Sequence, residues 1–155
     1  MQGDLEEAQS FAEEAVRLYH AVGSGDEYFV RLNLAMIMVE KEAYGDAGEL
    51  FDILVDIFSQ TGQTALLAQA WAGLLAANAG RSVWTGWSDY IEEIREISAS
   101  TGVRAPMATT ALMVAARLAD EAQKVEEAQM ARELAREQTR GIRQTLKLDE
   151  EELES

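Results

Sequence analysis

Apolar residues recur along the chain at steps of three and four, the period of a helix with one buried stripe. From Asp4 to Val22 the stripe is Leu5, Ala8, Ala12, Ala15, Tyr19 and Val22, with Phe11 and Leu18 beside it. The run "GSGD" breaks it, and Asp26 is placed to cap the next helix. That second helix reaches about Glu42 and is apolar almost all round, so it is expected to be covered on two sides. A third spans about Tyr44 to Ser59 and stops at Thr61-Gly62. The fourth, Thr64 to about Asn78, is rich in Ala and Leu. After the loop "NAGRSVWTGWSD", Ser88 or Asp89 can cap a fifth helix that ends at Thr101-Gly102. Pro106 suits the start of a sixth, which runs to about Ala119. The seventh is predicted to end near Gly141, leaving "LKLDEEELES" as a fraying acidic tail.

The stops are evenly spaced. Gly23, Gly62, Gly102 and Gly141 stand 39, 40 and 39 residues apart. Leu5, Tyr44, Trp84 and Val125 each precede Ala8, Ala47, Trp87 and Ala128 by three residues, at intervals of 39, 40 and 41. Two rulers with one period indicate one helix pair per roughly 40 residues, the signature of an α-helical solenoid.

The stretch "NLAMIMVEKEAYGDAGELFDIL" resembles a tetratricopeptide-type repeat, and in length the roughly 40-residue variant of receptor scaffolds and bacterial regulatory proteins. Leu34-Ala35 stands at the family's helix crossing, and Tyr44, Ala47, Phe51 and Leu54 follow at its spacing. Ala72-Gly73 matches the crossing of the next unit, where Trp87 replaces the usual Ala. The resemblance implies an all-α, right-handed solenoid of antiparallel helix pairs with about seven helices. Its parts are a half repeat at 4–23, repeats at about 26–62, 64–102 and 105–141, and an acidic tail at 142–155.

It also implies a concave groove lined by the first helix of each pair. Phe29, Leu32, Met36, Val39 and Glu40 would form its first stretch, Leu67, Ala70, Leu74 and Asn78 its second, and Met113, Arg117, Asp120 and Glu121 its end. An apolar strip with a charged end suits a peptide or amphipathic helix. Met36, Met38, Met107 and Met113 would let it adapt. Because the chain opens on the second helix of a pair, its first helix lacks a cover. Either the chain is a piece of a longer protein, or Leu5, Ala8, Phe11, Ala12, Ala15 and Tyr19 form a self-association face. Trp84 and Trp87 can be an exposed hot spot or a plug for the long loop; the plug is the favoured reading.

Charge narrows the partners. With 28 acidic and 13 basic residues the net charge is -15, which disfavours nucleic acid and anionic membranes and suits a basic or amphipathic protein partner. The absence of Cys excludes disulfides and thiolate metal sites. His20 is the only histidine, too few for a histidine-rich metal site, and the glutamate pairs lie beside apolar stripes, where a solvated face accounts for them. The expected protein is cytoplasmic and non-enzymatic, without cofactor or metal. Two readings remain: capture of a partner segment in the groove, or a structural, self-associating segment of a larger scaffold or regulator.

Overall fold

A computed structural model describes residues 2–101 and 106–154, with side chains described for 3–100 and 107–140. Among these residues the chain is all-helical, with seven helices. They are α1 (Gln2–Val22), α2 (Asp26–Glu40), α3 (Tyr44–Thr61), α4 (Thr64–Gly80), α5 (Trp87–Thr101), α6 (Pro106–Glu121) and α7 (Val125–Glu154).

Consecutive helices pack from α1 through α5, and α6 packs on α7. Helices two apart also meet: α2 with α4, α4 with α6, and α5 with α7. This places α4 in contact with α2, α3, α5 and α6, and its residues from Ala72 to Ala79 are buried in one unbroken run. Ala and Gly make that possible by letting neighbours approach closely. A Cβ on Gly73 would lie 2.3 Å from the Phe51 ring of α3, and one on Gly80 2.3 Å from the Tyr44 ring. The close approach at Gly73 is therefore with α3, the helix before α4.

One turn recurs three times. Glu42, Ser82 and Gln123 adopt φ of 63°, 59° and 62° after α2, α4 and α6. In each turn the next residue donates its amide to a carbonyl five residues back: Ala43 to Met38, Val83 to Asn78 and Lys124 to Ala119, all at 2.8 Å. A left-handed conformation is costly for a side-chain-bearing residue, so its return at the same point after alternate helices marks the same local structure. The ends of α1 and α3 use glycine, with Gly23 and Gly62 at φ of 70° and 69°.

Three local expectations change. Asp26 is the first residue of α2 and not its cap; its amide donates to Ser24 Oγ at 3.2 Å. Ser88 and Asp89 lie inside the first turn of α5, which begins at Trp87. Helix α7 runs through Gly141 to Glu154, so neither the stop nor the frayed tail is present. A helix-interior glycine costs only about 1 kcal/mol against Ala, too little to end a helix by itself. Gly102 lies outside the described residues.

Candidate functional site

Part of the groove drawn from the sequence is buried. Leu32, Val39, Leu74 and Asn78 are 0%, 4%, 2% and 4% exposed, and Ala70 is fully buried. The reason is the breadth of helix packing: α4 is enclosed by four other helices, so residues expected to face a cavity face α2, α3, α5 or α6 instead. Met36 and Leu67 are partly buried against the core. Phe29, Glu40 and Arg117 remain exposed. Asn78 serves the turn after α4, its Oδ1 accepting from Arg81 at 2.6 Å and 3.0 Å.

Trp84 and Trp87 also turn inward. Trp87 is 3% exposed, and its Nε1 donates to the Glu127 carbonyl of α7 at 3.0 Å. The Trp84 ring lies 5.5 Å from it, with Lys124 Nζ above at 5.8 Å. They fill the long loop and fasten α5 to α7.

What stays open is α1. Its face divides into two. Leu5, Ala8, Ala12 and Ala15 are partly buried, and α2 is the helix against which α1 packs, with Lys41 Nζ donating to Gln9 Oε1 at 2.6 Å. These four are thus poor candidates for an outside contact. Phe11, Leu18 and Val22 are 69%, 60% and 77% exposed, and Tyr19 36%. Phe11, Leu18 and Val22 are spaced seven and four residues apart, which puts them on one face. Leu18 and Val22 therefore belong to the site in addition to Phe11 and Tyr19. Asp4, Glu7 and Glu14, at seven or four residues from Phe11 or Leu18, share that face, so the apolar stripe is set among carboxylates.

Counting by the interval between helices shows what is unusual here. Phe11 corresponds to Leu50, Tyr90 and Ala131 of α3, α5 and α7, and Leu18 to Ile57, Ile97 and Gln138. Every one of those six positions is buried or partly buried. Only in α1 are they open.

A polar junction that the sequence did not reveal holds α1 to α2. Glu27, 7% exposed, accepts from His20 Nδ1 at 2.7 Å and from Arg31 Nε at 2.9 Å. The His20 hydrogen bond first, aided by Arg31, holds the Glu27 carboxyl below its ordinary 4.5 despite its burial. His20 is thus a structural partner.

At the other end, α6 and α7 border a groove of about 710 Å³ whose lining includes Arg132, Arg136 and Arg140, Glu133 and Glu137, and Met113. Among the described residues no group of three or more His, Cys, Asp or Glu could hold a metal ion, and no helix is long and apolar enough to cross a membrane.

The class is an all-helical chain with an open helix face at one end and an arginine-lined groove at the other. No family model, curated protein or solved structure matches it.

Proposed function

We propose that the chain is a non-enzymatic assembly module, a right-handed tetratricopeptide-type solenoid that associates through the exposed face of α1. The single observation carrying this reading is the pair Phe11 and Leu18, exposed with Val22 on one face of α1, where the positions matching Phe11 and Leu18 in later helices are covered. Large apolar side chains on one helix face favour burial by another polypeptide surface. The solenoid reading draws on the recurring left-handed turns and on the packing of helices two apart. Groove capture is the weaker alternative, because five of its thirteen lining residues are buried.

The test is molar mass by light scattering across a wide concentration range for wild type and Leu18→Glu. Wild type is expected to gain mass with concentration and Leu18→Glu to remain monomeric at equal helicity. A wild type that stays monomeric throughout overturns the reading.

A further inference from the structure

The groove at the far end has the shape and charge to receive α1. On α6, Thr109, Met113 and Arg117 correspond, 41 residues earlier, to Ala68, Ala72 and Ala76 of α4, all buried. On α7, Arg132, Arg136 and Thr139 correspond, 81 residues earlier, to Phe51, Val55 and Phe58 of α3. Those three are buried, and Phe51 lies flush against α4 at Gly73. The α6–α7 groove is therefore the place where a further helix would lie as α4 lies on α3, but its walls carry arginine in place of Phe and Val.

Charge selects the occupant. Arg132 pairs with Asp120, and Arg117 with Glu121 at 3.1 Å. Arg136 and Arg140, one helical turn apart, make no ion pair among the described residues; of the two glutamates in the same groove, Glu137 is taken up by Arg95 at 3.1 Å, and Glu133 leaves the arginines in excess. The Thr109 hydroxyl is buried in the groove wall without a hydrogen-bond partner. Met113, 47% exposed, supplies apolar surface between them. An ordinary repeat helix would leave these arginines unmatched. An amphipathic helix with carboxylates beside its apolar stripe would satisfy both, and α1 carries Asp4, Glu6, Glu7, Glu13 and Glu14 against Arg17 and His20.

We infer that α1 of one copy docks into the α6–α7 groove of the next, giving head-to-tail association. The inference rests on assembly through α1 and adds the surface that receives it. Two α1 faces brought together would oppose carboxylate to carboxylate, whereas α1 on this groove opposes carboxylate to guanidinium. Such a contact joins different surfaces on the two copies, so it does not close on itself after two.

A mixing experiment distinguishes the arrangements. Leu18→Glu disables the α1 face, and the double variant Arg136→Glu with Arg140→Glu disables the groove; all three residues are exposed, and circular dichroism checks that each variant folds. Each alone is expected to associate at least about tenfold more weakly than wild type. A 1:1 mixture is expected to form dimers and nothing larger, because one intact face meets one intact groove. If the groove variant associates like wild type, the inference fails while assembly through α1 stands. If both variants fail alone and the mixture stays monomeric, association needs both surfaces intact on the same molecule and head-to-tail docking is wrong. A wild type that never associates removes both.

Discussion

Gly73 shows how one missing side chain positions two helices. The Phe51 ring occupies the space a Cβ would need, 2.3 Å from its ideal position, and Phe51 is itself fully buried. Gly73→Ala is expected to destabilise the fold by about 1–3 kcal/mol, the usual cost of overpacking a core. Urea denaturation of the variant beside wild type measures it, and an unchanged midpoint would mean that Phe51 has another rotamer to adopt. The Ala-Gly pair was legible in the sequence as a crossing point, but its partner was not. Spacing tells which residue is small; only the packed chain tells which ring is laid on it.

At the scale of the element, α1 has its main packing partner in α2 among the described residues, and Glu27 is a polar fastening between them. A carboxyl whose pKa is lower folded than unfolded contributes stability that is fully present above its ordinary 4.5 and is lost as pH falls through the lowered folded value. Glu27→Gln is therefore expected to lower the denaturation midpoint at neutral pH, with the gap to wild type closing as the solution is acidified below 4.5. A gap that persists unchanged in acid would assign the effect to something other than the carboxylate charge.

Most helix boundaries could be read from periodicity and glycine, because an αL position at a helix end strongly favours Gly. The turns at Glu42, Ser82 and Gln123 escaped notice since ordinary residues occupy the left-handed position there. The burial of Leu74 and Asn78 escaped for another reason: α4 is apolar on every side, so its pattern does not name a solvent face.

For the whole molecule, the sequence's net charge of -15 argued against anionic partners, yet charge is unevenly placed. Acid surrounds the α1 stripe and arginine lines the α6–α7 groove. Attraction between such surfaces extends about 10 Å in 0.1 M salt and about 3 Å in 1 M. Association is accordingly expected to weaken as salt rises over that range, as sedimentation velocity would show. An apolar contact without charge matching would hold or tighten instead.

The three tryptophans give the molecule an optical property. Trp71 stacks on Tyr90 at 4.8 Å, Trp84 and Trp87 sit together, and all three lie between residues 71 and 87 in the middle of the chain. Neither the α1 stripe nor the arginine groove contains one. Intrinsic emission consequently tracks melting of the centre and of the contact between α5 and the start of α7. A dye or a new tryptophan placed at Tyr19 would be needed to watch two molecules meet, and the native signal would serve as the internal control that neither had unfolded.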